Sequence, residues 1–296
     1  MHMCHFSVPV ISKLVVVLPF AAALLCIPTP GFATPILTAD LASFAVLAAT
    51  GVTNVPTSTI GGNLGSAVNP SVGGGYVFTS GSLQANTATA QQAQIDLDAT
   101  MFPILTAFGV GLTIGSDLTG TILPGVYTVP AAATNLSGAL ILDGGTNPNP
   151  VWVFHFPGTL ITSPTSTVTV IGSFLANAGL YWDVGSAATL DGLTFAGNVF
   201  ARALISSDGN LDMSCGRLLS SDAQVTLIQD KISIGCLGAG FGSGGYDQGV
   251  DIGSGGGPGG EVPPIPEPAT LTLLASGLVV AARSRWKRRR IGSGRP

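Results

Sequence analysis

The chain has 296 residues, of which 9% are charged, with 11 Lys and Arg against 15 Asp and Glu. Between residues 34 and 260, three basic residues (Arg202, Arg217 and Lys231) stand against 13 Asp and no Glu, a balance near −10 (3 − 13). This charge repels phosphate backbones and excludes nucleic acid as a partner, and the 46% of apolar residues, which recur in blocks, exclude a disordered chain.

Residues 1–33 have the features of a secretory signal peptide. Lys13 supplies the positive charge, residues 14–27 are apolar, and residues 31–33 form a small-x-small cleavage site. The apolar run is shorter than the roughly 20 residues that a membrane span needs. We therefore expect an exported chain whose mature form begins at Thr34.

Residues 34–79 predict short strands and turns, with one strand at residues 44–47. Residues 82–102 predict a helix, because they lack Gly and are rich in Ala, Gln, Ile, Leu and Met. Ser82 is expected to cap the start of this helix, and Pro103 to end it. The residues expected to pack on a sheet share a spacing of three and four: Ala85, Ala88, Gln92, Ile95, Ala99 and Phe102.

Residues 113–235 are nearly all short β segments separated by Gly, Asn, Pro or Asp. The clearest segments are residues 125–129, 139–142, 151–154, 168–171 and 180–182. Segments 189–191 and 197–200 are echoed by segments 210–212 and 216–219, at a spacing of about 20 residues that is typical of the coils of a β-solenoid. A β-sandwich would explain the strands too, but it explains the echoes and the scarcity of surface charge less well.

Cys215 and Cys236 are the two cysteines that remain after signal removal. In an oxidising compartment we expect a disulfide between them, and closing a loop of about 20 residues stabilises a protein by roughly 3 kcal/mol. A zinc site is the alternative. Two cysteines and His155, the one histidine beyond residue 33, are too few ligands for it, so no metal and no cofactor are predicted.

The C-terminal region divides into a linker and a sorting segment. The domain of residues 34–237 is followed by residues 238–264, which are dominated by Gly and Pro and are expected to be a flexible linker. Residues 265–296 then contain a short motif, an apolar run at 271–282 and a run of arginines. Basic residues stay on the cytoplasmic side, so this tail is expected to hold the chain transiently in the inner membrane. An arginine run alone would also be compatible with a nucleic-acid-binding patch, but the apolar segment directly before it favours a membrane anchor.

Pro266, Glu267 and Pro268 form the motif that opens this tail, and the whole segment resembles the PEP-CTERM sorting signal of Gram-negative bacteria. The resemblance implies that an exosortase in the inner membrane recognises the motif and removes the tail, like other cleaved C-terminal anchors. The mature protein would then reach the cell surface or the extracellular space.

Motifs that would support catalysis are scarce. The sequence contains no G-x-S-x-G, H-E-x-x-H or P-loop pattern, and no Glu precedes Glu261. His155 is expected to be a strand histidine whose hydrogen bonds are satisfied, and Asp96 and Asp98 do not share a helix face. Residues 208–212 resemble a calcium loop only faintly, since Asp-Gly and Gly-Asn are ordinary turn formers. We therefore predict that the chain is not an enzyme.

Threonine recurs on the strands with one residue between neighbours. The T-x-T pairs involve Thr57 and Thr59 and, in the densest run, Thr165, Thr167 and Thr169. Residues i and i+2 project from the same side of a strand, and stacked strands lie about 4.7–4.9 Å apart. A rigid plane of methyls and hydroxyls at this spacing would order water into an ice-like layer. These five threonines are the candidate ligand-contacting residues.

Several stretches of the chain together resemble the large microbial ice-binding protein family. They are residues 43–48, 52–54, 60–65, 123–127, 140–143, 149–154, 181–190, 194–199, 216–217 and 225–227. The resemblance implies a mainly β fold, a discontinuous right-handed parallel β-helix with one long α-helix packed alongside. It also implies adsorption to ice through one flat face. The alternative is a structural or adhesive protein of the cell surface that contacts extracellular polysaccharide without affinity for ice.

Overall fold

The computed structural model of the chain describes residues 35–237 and 243–249. Within these ranges the protein is mainly β, with twenty strands whose mutual pairings are all parallel. The first ten strands are β1 Phe44–Ala48, β2 Gly51–Gly61, β3 Asn63–Ser66, β4 Val72–Ser80, β5 Leu83–Ala85, β6 Leu112–Thr113, β7 Gly120–Ile122, β8 Gly125–Thr128, β9 Ala139–Asp143 and β10 Val151–Phe156. The other ten are β11 Leu160–Ile161, β12 Thr167–Ile171, β13 Gly179–Val184, β14 Ala188–Leu190, β15 Gly197–Ala201, β16 Ile205–Ser207, β17 Asp212–Met213, β18 Gly216–Ser220, β19 Gln224–Leu227 and β20 Lys231–Ser233.

The largest sheet has nine strands in the order β5-β3-β1-β18-β15-β13-β10-β8-β6. Its middle joins the two ends of the domain, because β1 near the N-terminus pairs with β18 near the C-terminus, Val46 opposite Leu218. The order of strands in space is therefore not their order in the chain. Parallel pairing also rules out the antiparallel sandwich that the strand pattern alone had left open.

A second sheet contains β11, β14, β16, β19, β2, β20 and β17 in that order, with β4 also paired to β2. Its eleven-residue strand β2 pairs with two different strands along its length. Residues 51–54 pair with β19, and residues 59–61 pair with β20. A third, three-stranded sheet has the order β12-β9-β7.

The interior between the sheets is filled by stacked aromatic rings. Trp182 lies 4.7 Å from Phe154 and 4.8 Å from Phe195, measured between ring centroids. Trp152 and Trp182 are fully buried, and their indole N–H groups donate to the carbonyls of Ile122 and Ala196. Each large ring thus buries its apolar body and still satisfies its polar atom.

Alternation along the strands of the nine-stranded sheet produces two separate apolar clusters. On β10, Trp152 and Phe154 belong to the interior, whereas Val151 and Val153 project to the opposite side. There they pack beneath a helical segment, which buries Ala93 and Leu97 against them. We call this nine-stranded sheet the helix-covered sheet.

The helical segment corrects the predicted helix in its limits. It comprises α-helix Ala88–Asp96, a π-helical turn Leu97–Met101 and α-helix Phe102–Ala107, while the short helices Ala39–Ala42 and Leu175–Asn177 lie elsewhere. Residues 83–85, expected to be helical, form strand β5. Thr87, not Ser82, caps the helix by accepting from the backbone N–H of Ala90 at 3.2 Å. Pro103 does not end the helical segment. It lies in the first turn of α-helix Phe102–Ala107, where a proline removes no hydrogen bond.

Apart from Phe102, the predicted packing stripe of the helix is also wrong. Ile95, expected to face the sheet, is 57% exposed. The residues that pack on the helix-covered sheet are Ala90, Ala93, Leu97, Met101, Phe102 and Leu105. The π-helical turn adds a residue to one turn, so no stripe drawn with regular α-helical spacing continues through it.

The predicted linker contains a packed segment, which is a second correction. Residues 243–249 lie against the start of the domain, where the backbone N–H of Ile36 donates to the Asp247 carbonyl at 3.1 Å. Isolated antiparallel bridges join Pro35 to Gln248 and Gly179 to Asp247. We call residues 243–249 the strap.

The expected signal peptide, the rest of the expected linker and the sorting segment of residues 265–296 lie outside the described residues. Within the described ranges, no helix has the length and apolar character needed to cross a membrane.

Candidate functional site

The helix removes one of the sheets from consideration as a binding surface. On the outward side of the helix-covered sheet, Leu47, Phe200 and Leu219 are completely buried beneath it. A ligand as large as a crystal face therefore has access only to the outward sides of the other sheets.

Two of the predicted threonines, Thr59 on β2 and Thr167 on β12, belong to one transverse row. Bridges connect Thr167 to Thr194 and Thr194 to Asp212, strand pairing connects Asp212 to Lys231, and Lys231 pairs with Thr59. Thr59 and Thr167 are therefore four strand spacings apart, roughly 19 Å. We call Thr167, Thr194, Asp212, Lys231 and Thr59 the mixed row.

Charge interrupts the middle of the mixed row. The Lys231 ammonium lies 3.1 Å from the Asp212 carboxylate, with side-chain exposures of 55% and 42%. An exposed ion pair binds liquid water strongly and projects beyond its neighbours, so the row is not the continuous threonine plane expected from the sequence. The other predicted threonines lie nearby: Thr57 and Thr169 are exposed on β2 and β12, and Thr165 is exposed in the turn before β12.

A second row, which the T-x-T search did not detect, consists only of uncharged residues. Strand pairing places Thr189 beside Ser206, Ser206 beside Thr226 and Thr226 beside Thr53. The hydroxyl of Thr53 donates to that of Thr226 at 3.1 Å. The row continues to Ile161 at one end and to Gly73 at the other. We call β11, β14, β16, β19 and residues 51–54 the hydroxyl sheet.

The hydroxyl sheet has a second outward row, two residues upstream of the first. It is uncharged as well, and its backbone pairing is given by strand register and by hydrogen bonds such as that from Leu160 N–H to the Ala187 carbonyl. Its members are Thr159, Ala187, Leu204, Gln224, Gly51 and Ser71. Two adjacent rows of small or uncharged side chains thus cover about five strand spacings, roughly 24 Å.

Carboxylates lie only at the border of this sheet. Asp191 and Asp208 follow directly after the paired residues Leu190 and Ser207. Burial, and secondly the charge of Asp208, raise the pKa of Asp191. Both groups stand at the edge where the chain turns away, so they do not interrupt the two uncharged rows.

A buried polar network supports the turn between the hydroxyl sheet and the mixed row. The Asp230 carboxylate, 2% exposed, accepts from the Ser207 hydroxyl and from the backbone N–H groups of Leu211 and Ile228. The backbone N–H of Asp230 donates to the hydroxyl of Ser58 at 2.9 Å. Burial raises the pKa of Asp230, and these hydrogen bonds counteract part of that rise.

His155 pairs with a carboxylate on the neighbouring strand. Its Nδ1 lies 2.8 Å from Oδ2 of Asp183, the residue opposite it on β13. Within the described residues, its Nε2 and Asp183 Oδ1 are buried without a hydrogen-bond partner. We expected both ring nitrogens of His155 to be hydrogen-bonded, and only Nδ1 is. Strand alternation puts the pair on the helix-covered side of β10 and β13.

The acidic residues considered as catalytic or metal-binding groups have structural partners. Asp96 accepts from the hydroxyl of Thr38, and Asp98 accepts from the hydroxyl of Ser221 at 2.6 Å. Within residues 35–237 and 243–249, no group of three or more potential ligands is arranged to hold a metal ion. Cys215 and Cys236 are joined in a disulfide, with their Cα atoms 4.6 Å apart.

The repeat spacing in the sequence predicts some of the strand pairings but not those of the hydroxyl sheet. The echo between segments 197–200 and 216–219 is a true strand pairing, with Gly197 opposite Gly216. The echo between 189–191 and 210–212 is not, because Thr189 pairs with Ser206. A search for one hydroxyl per coil, rather than two per strand, would have found the intervals of 17 and 20 residues from Thr189 to Ser206 to Thr226.

Comparison with known proteins agrees with this architecture. The chain is 31% identical over 264 residues to an ice-binding protein of Nostoc sp. (strain HG1), covering 83% of this chain and 86% of that protein. Among solved structures, an ice-binding protein of the Antarctic ascomycete Antarctomyces psychrotrophicus has a TM-score of 0.56 and 29% identity, covering 68% of this chain and 98% of the other. An ice-binding protein from an Antarctic biological consortium has a TM-score of 0.58 and 28% identity, covering 69% and 93%.

Two family models match different parts of the chain. The PEP-CTERM protein-sorting motif matches residues 264–289, which include Pro266, Glu267 and Pro268. The ice-binding-like family matches residues 46–233, which is most of the region with parallel sheets. The chain belongs to the ice-binding-like family and carries a C-terminal PEP-CTERM sorting motif.

Proposed function

We propose that this protein is an exported, non-enzymatic ice-binding protein that adsorbs to ice through the hydroxyl sheet. Membership of the family supports ice as the ligand. The observation that carries the choice of surface is the uncharged row Thr189, Ser206, Thr226 and Thr53, which is fixed at one residue per strand.

The physical argument rests on spacing and on the absence of charge. Backbone pairing fixes the distance between neighbouring strands at about 4.8 Å, so the hydroxyl-bearing side chains lose little further entropy when they order water. Methyl groups of Thr between the hydroxyls disfavour disordered hydration. The Asp212–Lys231 pair makes the mixed row a poorer surface, because both ions hold water in an arrangement set by charge. The mixed row, which contains Thr59 and Thr167, is the second candidate surface, together with the nearby Thr57, Thr165 and Thr169.

The proposal includes a finer statement of the fold. We infer that the parallel sheets are sides of a discontinuous right-handed β-helix, with the N-terminal strands stacked on the C-terminal ones. The β1–β18 pairing and the return of the chain to the same sheet after 15 to 28 residues support this arrangement. Right-handed crossovers are the strong default for parallel strands of one sheet.

The proposed route to the surface follows from the chain ends. Cleavage before Thr34 releases the N-terminus, and the apolar run and arginines after residue 268 hold the chain transiently in the inner membrane of a Gram-negative bacterium. An exosortase then recognises the motif around Glu267 and removes the tail. The match of residues 264–289 to the sorting motif supports this route.

Ice-recrystallisation inhibition and thermal hysteresis of the exported chain test the proposed function. We expect inhibition of recrystallisation at a concentration where an unrelated protein of the same charge has no effect. An inactive, correctly folded chain would reject ice as the ligand. The rival reading, a structural or adhesive surface protein that contacts polysaccharide, would then be tested by retention on extracellular polysaccharide.

A further inference from the structure

We propose that the strap holds the sorting tail at the corner of the fold opposite the hydroxyl sheet, so that a chain anchored by its tail presents this sheet away from the membrane. That the sheet then meets ice rests on the proposed function, whereas the geometry of attachment does not. The sorting tail is used here for residues 250–296, which follow the strap directly in the chain.

In the proposed β-helix, each coil passes along three sides in a fixed order. One coil contains β13 of the helix-covered sheet, then β14 of the hydroxyl sheet and then Thr194 of the mixed row, before β15 returns to the helix-covered sheet. The next coil repeats this order with β15, β16, β17 and β18. In a closed path of three sides, the corner between the mixed row and the helix-covered sheet lies opposite the hydroxyl sheet. We call this corner, where β13, β15 and β18 begin, the strap corner.

The strap crosses the first residues of three neighbouring strands at this corner. Gly179, the first residue of β13, forms an antiparallel bridge with Asp247. Asn198, the second residue of β15, donates to the carbonyl of Tyr246 at 2.8 Å. Arg217, the second residue of β18, lies 3.6 Å from the Asp247 carboxylate. The strap therefore runs across the stack along the strap corner, from β18 towards β13.

The disulfide fixes the chain at the same corner before the strap begins. Cys215 directly precedes β18 and Cys236 follows β20, so their bond ties the end of the last coil to the strap corner. The Ser243 hydroxyl lies 3.1 Å from Cys236 Sγ, and Tyr246 packs into the interior cluster. A covalent bond and a buried ring thus hold the start and the middle of the strap.

The end of the strap lies beside the start of the domain. Pro35 forms an antiparallel bridge with Gln248, and the hydroxyl of Tyr181 donates to the Gln248 carbonyl at 2.8 Å. Gly249 is buried, and a side chain at this position would collide with Ile36. The sorting tail therefore begins at the start of β13, on the helix-covered side.

The length of chain between the strap and the sorting motif is short compared with the domain. β13 spans six residues, about 20 Å, and separates the strap corner from the turn into the hydroxyl sheet. Residues 250–265 number 16 (265 − 249), and a flexible chain of this length, which the Gly-rich sequence predicts, has an average end-to-end distance of about 20–24 Å. To bring the hydroxyl sheet to the membrane, this chain would have to pass around one side of the coil. Most of its conformations therefore leave the hydroxyl sheet pointing away from the membrane.

The strap itself supplies much of this restriction. Without it, the free chain would begin after Leu237 and would number 28 residues (265 − 237), with an average end-to-end distance of about 26–32 Å. A chain of that reach exceeds the length of β13 and permits the domain to turn over more often. The strap is therefore a positioning element for the whole domain.

Fluorescence quenching on lipid vesicles tests the orientation without ice. The full chain with its tail, isolated from a host that lacks an exosortase, is placed in vesicles whose lipid headgroups carry a quencher. A fluorescent unnatural amino acid replaces either Ala176, exposed in the short helix before the strap corner, or Gln224, exposed on the hydroxyl sheet. Cys215 and Cys236 stay paired in both proteins. We expect several-fold stronger quenching at Ala176 than at Gln224.

Asp247→Lys tests whether the strap causes the difference, because a cation at this position would oppose Arg217 and release the strap. The difference in quenching between the two reporter positions should then shrink. Asp222→Lys makes the same change of charge at an exposed position in the turn before the hydroxyl sheet, and this control should keep the wild-type difference. Hydrogen exchange should show lost protection of residues 243–249 in Asp247→Lys alone.

An insertion provides a second variant that leaves the packed strap unchanged. Twelve Gly and Ser residues (249 − 237) placed after Gly249 lengthen the free chain as much as release of the strap does. The difference in quenching should again shrink, although the hydrogen exchange of residues 243–249 stays that of the wild type.

The outcomes separate the orientation from the proposed function. Quenching in the wild type that is equal at the two positions, or stronger at Gln224, would overturn the proposed orientation, as would a chain that does not float with the vesicles. Expected quenching together with an exported chain that fails to inhibit ice recrystallisation would reject ice as the ligand and leave the orientation intact.

Discussion

The Arg217 guanidinium lies 3.6 Å from the Asp247 carboxylate, in a pair that joins the body of the domain to the strap. Both side chains are buried, at 1% and 7% exposure. Arg217 also donates to the Ala42 carbonyl and to the side-chain oxygen of Asn198, both at 2.7 Å. Asn198 in turn donates to the carbonyls of Gly245 and Tyr246. One arginine therefore connects the first helix, the helix-covered sheet and the strap.

Replacing this arginine should destabilise the domain strongly. Arg217→Met leaves Asp247 buried without its cation, and breaking a buried pair from one side costs about 3–5 kcal/mol. Urea denaturation would measure the change in the free energy of unfolding. Lys231→Met, which breaks the exposed pair with Asp212, is the control and should cost about 0–1 kcal/mol. Equal effects of the two substitutions would contradict a structural role for the strap.

The stability of the domain should increase as the pH is lowered from 7 towards about 4. Burial is the main cause of raised pKa values at Asp230 and Asp247, although Arg217 counteracts part of the rise at Asp247. A carboxyl whose pKa is higher in the folded state binds its proton more tightly there. The resulting stabilisation is complete below the unfolded pKa of about 3.9 and is lost as the pH rises through the folded pKa.

Thermal unfolding across this pH range would test the sign. Asp230→Asn removes one of the two groups and should flatten the dependence of the melting temperature on pH. A melting temperature that falls steadily from pH 7 to pH 5 in the wild type would show that other carboxylates dominate.

The disulfide should account for a substantial part of the stability of the exported chain. Cys215 and Cys236 are 21 positions apart, and closing a loop of about 20 residues is worth roughly 3 kcal/mol. The double substitution to serine should lower the free energy of unfolding by about that amount. Alkylation of the native exported chain followed by mass spectrometry should detect no free thiol at either position, and labelling of both would refute the disulfide.

The strands were the part of the fold most accessible from the sequence, because their apolar blocks are short and bounded by turn residues. Segment 151–154, for example, lies within β10. The helix could be located from the sequence, but the face that packs on the sheet could not. Residues Leu97–Met101 form a π-helical turn, which regular α-helical spacing does not reveal. The strap was assigned to a linker because glycine dominates its surroundings, whereas its order comes from Arg217 and Asn198 far away in the chain.

The candidate surface could be predicted only in part for a related reason. Threonine pairs within one strand are visible as T-x-T, but the hydroxyl row takes one residue from each strand. Thr53 and Thr226 are 173 positions apart and meet because β2 pairs with β19, following the stacking of β1 on β18. Similarly, nothing near Thr167 in the sequence indicated that Asp212 and Lys231 would interrupt its row.

Sorting should depend on the motif and not on the acidity of its surroundings. Glu267→Ala is expected to prevent removal of the tail in a host with an exosortase, so that the chain stays in the inner-membrane fraction. Glu261→Ala, which removes the one other glutamate of the chain, is the matched control and should be processed normally. Mass spectrometry of the released protein should also place its first residue at Thr34. Normal processing of Glu267→Ala would reject the sorting role of the motif.

The two candidate surfaces should respond differently to a bulky side chain. Adsorption to a crystal plane depends on the fit of an extended area, so one protruding ring should disturb it more than the loss of one hydroxyl. Thr226→Tyr puts a ring at the centre of the hydroxyl row, between Ser206 and Thr53. We expect it to raise several-fold the protein concentration needed to inhibit ice recrystallisation.

Thr226→Val and the β12 substitutions Thr167→Tyr, in the mixed row, and Thr169→Tyr, beside it, complete this experiment. Thr226→Val keeps the volume and a methyl group while it removes the hydroxyl that accepts from Thr53, so it should cause a smaller loss than the tyrosine. The two β12 variants should retain activity, because the Asp212–Lys231 ion pair already holds water in the same row as Thr167. Circular dichroism would verify that each variant is folded. Loss of activity in Thr167→Tyr or Thr169→Tyr with full activity in Thr226→Tyr would assign ice binding to the mixed row, where the sequence alone had placed it.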